Sequence, residues 1–423
     1  MARVNIFTAA AAGEAVAVQR MIRKDRSRVH AAHGREVIPP LAYACGSPLH
    51  KNGAQQGEGL RRVVALLLRA GASANSFSLF HAGEGEPARI PVLYYACVAD
   101  HAALVQLLLE HGAKTQDGES IDHAAQLNRR VCLRALLRHG ADLSSAQSPY
   151  GNTPLYFLAG HPDERNGRAA WFKGMAWLLD HGADPNIPSL KLAETPLHRI
   201  AAGAPKMRTA RLLISHGADP CRRRADGRTP YALAMRHGNL AMAKLFLRYG
   251  AEAEVLPPED ALFAACHAAD GAAARRVLAS HPGLLELLSD DDRGAVADAA
   301  MRGNGRAVRL MAGLGFPLDW ENTGATALHH AAWLGKAAMV KLLLQLGAPV
   351  NRRDRRFGSS PLGWAAHGSR FGGGPAKAYS AIVVMLLAAG AEREASLNRW
   401  SETPESMASK AVALLLRKRG FAL

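Results

Sequence analysis

Four stretches of this sequence can be laid over one another almost residue for residue. They are ATALHHAAWLGKAAMVKLLLQLGA (Ala325 to Ala348), RTPYALAMRHGNLAMAKLFLRYGA (Arg228 to Ala251), ETPLHRIAAGAPKMRTARLLISHGA (Glu194 to Ala218) and PVLYYACVADHAALVQLLLEHGA (Pro91 to Ala113). All follow one template: T-P-L-H-x-A-A, then Gly, then V-x-x-L-L, then G-A. A unit this short cannot bury its own apolar face, so the units must stack on one another. The repeat therefore overrides any domain count drawn from length.

Each template position has a physical reason. Thr195, Thr229 and Thr326 can cap a first helix through their hydroxyls. Pro196 and Pro230 suit the first helical position, where no backbone donor is lost. Leu197 and Leu328 enter the core, and the paired alanines Ala201–Ala202 and Ala331–Ala332 keep the inner helix thin. Gly238 and Gly335 end that helix in a left-handed conformation. Leu342, Leu343 and Leu344 give the outer helix its apolar face, and Gly217, Gly250 and Gly347 stop it. Asp219 or Asn351 then turns the chain into a projecting finger.

With these features the chain resembles the ankyrin family, whose repeat is about 33 residues. Alignment on the Thr position gives twelve units, starting at Val4, Pro39, Pro91, Glu119, Thr153, Thr195, Thr229, Asp260, Gly294, Thr326, Ser360 and Thr403. The resemblance implies an all-α solenoid with a concave face of inner helices and fingers. Residues 1–423 are expected to form a single domain: an N-terminal cap over 1–34, central repeats over 35–402 and a C-terminal cap over 403–423. The template histidines His198 and His329 are then structural, because in this family that residue bonds locally and orders the finger.

Composition agrees with closely packed helices: 48% of residues are apolar and only 6% aromatic. The N-terminus shows no signal-peptide pattern, and no window reaches the apolar length of a membrane span. Five scattered cysteines read as free thiols in a reducing compartment, so a cytoplasmic location is expected. The formal net charge of +16 favours acidic partners.

Function is sought where the repeat is broken. Gly46–Gly59, Gly160–Gly174 and His367–Ser380 each carry about eight to eleven extra residues between helices and should project from one edge. The finger Ser73–Ile90 is long, and the next, Lys114–Gly118, is short. Two fingers are basic: Arg222, Arg223 and Arg224, then Arg352, Arg353, Arg355 and Arg356, whose forks can grip carboxylates or phosphates. Trp333 and Trp364, with His330 and His367, are candidate apolar anchors. Where the family has T-P-L-H, one unit reads Glu119, Ser120, Ile121, Asp122, followed by His123, with Ser120 in the place of the cap. Glu119, Asp122 and His123 form the one acid–base set in the chain. Against that set stand the bland readings of a degenerate repeat and of solvated charged turns.

No phosphate loop, H-E-x-x-H or C-x-x-C pattern is present, and Cys97 with His101 lacks two further zinc ligands, so neither a metal nor a cofactor is expected. The resulting expectation is a protein-interaction scaffold for an acidic-faced protein, bound through the concave face and fingers. A nucleic-acid or acidic-surface binder is the second reading, and a catalytic or small-ligand solenoid using Glu119, Asp122 and His123 is the third. Oligomeric state is not readable from the sequence.

Overall fold

A computed structural model describes residues 5–418 apart from 82–85, 147, 149, 162–168, 204–205 and 393–395. The first unit's start at Val4, the middle of the Gly160–Gly174 insertion and residues 419–423 of the last unit therefore lie outside the described residues. The chain divides into two compact units, Met1–Tyr231 with Lys244–Glu252, and Ala232–Ala243 with Ala253–Leu423.

Within each unit, short inner helices alternate with outer helices. The first unit holds the pairs Val92–Ala99 and Ala102–Glu110, Ser120–Gln126 and Arg130–Arg138, Pro154–Ala159 and Ala170–Asp180, and Pro196–Ala202 and Met207–Ser215. The second holds, among others, Ala295–Arg302 and Gly305–Gly313, Ala327–Trp333 and Ala337–Gln345, and Pro361–Phe371 and Ala376–Ala388. Successive inner helices pack on one another within a unit, as do the two helices of each pair. The core comprises the leucines and alanines of the template, such as Leu104, Leu108, Leu133 and Leu136 in the first unit and Leu328, Ala331 and Leu343 in the second, all fully buried. The last repeat holds a short helix, Pro404–Met407, followed by Lys410–Leu416.

Where the template histidine is present, at His198 and His329, it ties its repeat to the next repeat of the same unit. Thr195 N–H donates to His198 Nδ1 (3.1 Å), and His198 Nε2 faces the Arg228 carbonyl oxygen at 3.2 Å. Thr326 and His329 repeat the arrangement, with His329 Nε2 at 3.0 Å from the Ser359 carbonyl. One ring nitrogen thus accepts from its own helix cap while the other donates to the following finger. Only a neutral imidazole can do both. Burial enforces that form, pushing both histidines down to about 4.

A second link runs between finger turns. Asn75, three residues past its G-A alanine, donates from Nδ2 to the Gly112 carbonyl (2.8 Å) and accepts from Lys114 N–H (2.8 Å). Asn186 clamps Gly217 and Asp219 in the same way, and Asn351 clamps Gly390 and Glu392. Cys221 holds the corresponding position, and its thiol points to the Gly250 carbonyl at 3.3 Å.

Where the repeat is broken, the extra residues form more regular structure than loops. Gly46–Gly59 contains a 3-10 turn, Pro48–Asn52, and the start of the helix Ala54–Arg69. His367–Ser380 is absorbed by lengthening the flanking helices, which leaves 372–375 between them. The long finger departs from the all-helical pattern. Its alternating residues pair Phe77–Phe80 with Ala88–Pro91 as an antiparallel hairpin, Phe77 opposite Pro91 and Phe80 opposite Ala88. One close approach requires glycine: a Cβ on Gly174 would lie 1.8 Å from the Ala125 carbonyl oxygen.

Two outcomes are expected. Gly174→Ala should lower the unfolding midpoint by the equivalent of roughly 1–3 kcal/mol, as overpacking does; an unchanged midpoint would contradict this contact. The histidines should make the fold acid-sensitive. Below about pH 6.5 the unfolded chain takes up protons that the folded chain refuses until about 4, so stability falls as pH drops through that window. The loss is up to about 1.4 kcal/mol per pH unit for each histidine. His329→Ala should therefore lower denaturant stability at pH 7 and flatten its pH slope. Parallel slopes for the two proteins would rule the linkage out.

Candidate functional site

The unit beginning at Glu119 is built differently from its neighbours. Asp117, not Ser120, caps its inner helix: the Asp117 carboxylate accepts from Glu119 N–H (3.0 Å), Ser120 N–H (2.8 Å) and the Ser120 hydroxyl (2.6 Å). Ser120 is the first helical residue and gives its hydroxyl away, which corrects the expected cap. His123 Nδ1 lies 3.0 Å from the Glu119 carbonyl oxygen and 3.4 Å from its carboxylate.

Asp122 stands where the template has histidine. An ionised carboxylate is acceptor-only, so it cannot donate to the carbonyl of the next finger as His198 and His329 do. Its side chain instead lines a cavity of about 470 Å³. Asp122 is only 7% exposed and has no hydrogen-bond or ion-pair partner among the described residues. The preceding unit also lacks the histidine, and Tyr94 takes its place. The Tyr94 ring meets Tyr95 at 5.3 Å and His123 edge-on at 4.9 Å, and His123 meets Phe157 at 5.3 Å. The finger hairpin closes one side with Leu79, Phe80, Ala88 and Ile90, and Tyr150 stands at the opposite finger.

The electrostatics follow from burial among like charges. Burial, with Asp117 beside it, pushes the Glu119 carboxyl up to about 7. Burial and the charges of Glu119 and Asp117 raise Asp122 well above the usual carboxylate range. Burial lowers His123, and burial next to Glu119 raises Tyr94. The expected trio is thus brought together. Asp117, Tyr150 and the hairpin complete it, and sequence reasoning had not assigned them to it.

The second unit brings Trp333 and Trp364 together at 6.1 Å between ring centroids. His330 meets Trp364 at 5.7 Å, and His367 meets Trp333 at 5.3 Å. Trp364 is oriented by its indole N–H, which donates to Asp354 (2.9 Å). The rings line a groove of about 550 Å³ that also includes Arg356, Phe357 and Trp400. Trp400, on the next finger, is 66% exposed, and the sequence reading missed it because no repeat position marks it.

The arginines of the two basic fingers differ in their availability. Arg224 turns inward to Glu194 and to Asp226 (2.6 Å), and the Glu194 carboxylate also accepts from the Tyr156 hydroxyl (2.5 Å). It staples its finger to the inner helices, while Arg222 is exposed and Arg223, also exposed, donates to the Gly227 carbonyl (2.7 Å). Arg353 donates to the carbonyls of Gly358 (2.5 Å) and Leu397 (3.2 Å). Arg352 and Arg355 flank Glu321 at 3.7 and 3.2 Å but keep exposed side chains. Arg356 lies over the Phe357 ring at the groove. Glu194, the partner that turns Arg224 inward, and Glu321, beside Arg355, each lie about 30 residues away in sequence, too far for the local pattern to reveal.

Among the described residues no group of acidic, histidine or cysteine side chains has metal-site geometry, and no helix is long and apolar enough to cross a membrane. All five cysteines are free, four of them buried and Cys221 exposed.

Comparison with known proteins agrees with the repeat geometry. The family profile described as ankyrin repeats (3 copies) matches residues 167–256 and 261–354. Ankyrin repeat and SOCS box protein 16 of Homo sapiens is 34% identical over 178 residues, covering 38% of this chain and 37% of that protein. The E3 ubiquitin-protein ligase KEG of Arabidopsis thaliana is 26% identical over 327 residues, 70% of this chain and 19% of that protein. The 2-5A-dependent ribonuclease of Mus musculus is 46% identical over 57 residues, 14% and 8% of the respective chains. This chain thus spans well under half the length of these relatives. The crystal structure of the human ASB11 ankyrin repeat domain aligns over 60% of this chain and 100% of its own, with 24% identity and a TM-score of 0.43. Units of this kind are in general protein–protein interaction modules, and this chain carries ankyrin repeats over residues 167–256 and 261–354.

Proposed function

We propose that this protein is a scaffold that holds an acidic-faced protein partner through inner-helix and finger side chains. The observation that carries the reading is the aromatic groove of the second unit. Trp333, Trp364 and the exposed Trp400 line it, and Arg356 sits at its edge with Arg352 and Arg355 on the same finger. Tryptophan and arginine are the residues that dominate interface energetics. An arginine fork beside an apolar anchor suits a segment that alternates apolar and acidic side chains. Arg222 and Arg223 supply a further basic contact on the first unit. We take residues 1–423 as one repeat domain working in the cytoplasm, where the buried free thiols Cys45, Cys97, Cys132 and Cys266 would stay reduced.

The test uses the full chain and two labelled probes: a peptide of alternating Leu and Glu, and a single-stranded oligonucleotide of equal charge. The peptide should bind saturably. Trp400→Ala and Arg356→Glu should each weaken it by about tenfold or more, equivalent to about 1.4 kcal/mol. Preferential binding of the oligonucleotide, falling steeply with salt and indifferent to Trp400→Ala, would instead make this a nucleic-acid binder.

A further inference from the structure

The cavity beside Glu119 is opposite in character to the basic fingers. We propose that it is a cation site that takes the ammonium head of a lysine side chain presented by a protein partner.

Three features of the cavity combine to support this. First, its lining carries three carboxyl groups, the exposed Glu36 and the inner Glu119 and Asp122, and Asp122 has no partner among the described residues although it is almost fully buried. An unpaired carboxylate in that position is unfavourable until a proton or a cation neutralises it. Second, much of the lining is aromatic: Phe80 and Tyr150 are exposed and Tyr94 and Phe157 half-buried, and the faces of such rings attract ammonium groups. Third, among the described residues no lysine or arginine lines the cavity, in a chain with 52 of them. The one basic group is His123, which burial favours in its neutral form and which is held by the Glu119 carbonyl. A compact charge on a flexible four-carbon stem fits this shape: apolar walls for the stem, and acids at the end for the head.

Occupancy has a proton balance. Where a carboxyl in the cavity is protonated, the arriving ammonium forms an ion pair with the carboxylate and the carboxyl proton leaves to the buffer; no bond other than O–H breaks. The groups facing the two acids are Asp117 and His123 on their own segment, Tyr94 and Tyr95 from the preceding inner helix, Glu36, and Tyr150 on the following finger. None of these becomes a competing cation above neutral pH. Affinity should therefore rise from about pH 6 to about pH 8 as the Glu119 carboxyl ionises.

The experiment is calorimetric titration of the full chain with Nα-acetyl-lysine amide, with the norleucine and arginine analogues as controls, in buffers of different ionisation enthalpy. The lysine compound should bind at least about tenfold more tightly than norleucine, with net proton release and with affinity rising as pH rises. Asp122→Asn should weaken it by about tenfold or more. The same variant should raise the unfolding midpoint at alkaline pH by removing a buried charge, and that gain shows that it is folded. Equal binding of norleucine, unchanged lysine affinity in Asp122→Asn, or no saturable binding would each overturn the proposal. Tighter binding of the arginine compound would overturn the choice of lysine. The groove variant Trp400→Ala should leave lysine binding intact, so this site and the aromatic groove stand or fall separately.

Discussion

A neutral, buried imidazole holds one repeat to the next. His198 and His329 each receive a hydrogen bond from their own helix cap and give one to the backbone of the following finger. The link orients the finger relative to the helix, and the fingers carry the exposed Arg222, Arg352, Arg355 and Trp400. The residues meant for partners are therefore positioned by a group that must never be charged in the folded state. Burial supplies that condition, because desolvation penalises the imidazolium.

The cavity and the groove arise where this link is replaced. Tyr94, Asp122 and Tyr156 occupy the histidine position in three successive units. Tyr156 still reaches the next unit, through Glu194, and keeps the stack tied. Asp122 makes no hydrogen bond to the next finger among the described residues, and its side chain lines the cavity. In the second unit, Gly363 follows Ser360-Pro361-Leu362 at that position, and Trp364 beside it takes its orientation from Asp354. A Cβ on Gly363 would lie 2.0 Å from the Ser359 hydroxyl oxygen and 2.7 Å from the Ser396 carbonyl oxygen, so both finger segments approach this closely because no side chain stands there.

The fold was legible because the repeat states its rules many times. Caps, helix-ending glycines and thin alanine faces are local, and they recur in phase. The Glu119 unit was also visible, as a departure from the template. Most of what remained hidden depends on residues far apart in the chain or outside the template. Asp117 as cap lies one turn before the expected residue, inside a finger too short to look informative. The hairpin wall comes from the finger ahead, and its alternation is too brief to distinguish from a polar loop. The inward turn of Arg224 depends on Glu194, and the outward Trp400 belongs to no template position.

The asparagine clamps and the histidine links share one property: each ends on a peptide group of the neighbouring repeat. Every residue type offers a carbonyl, and all but proline offer an N–H. The joint therefore does not inspect the identity of what it joins. A repeat can be duplicated, exchanged or reshaped on its exposed side without a matching change next door, provided that the backbone arrives in the same place. Two chemically opposite surfaces can arise in such a chain because its joints are blind to side chains.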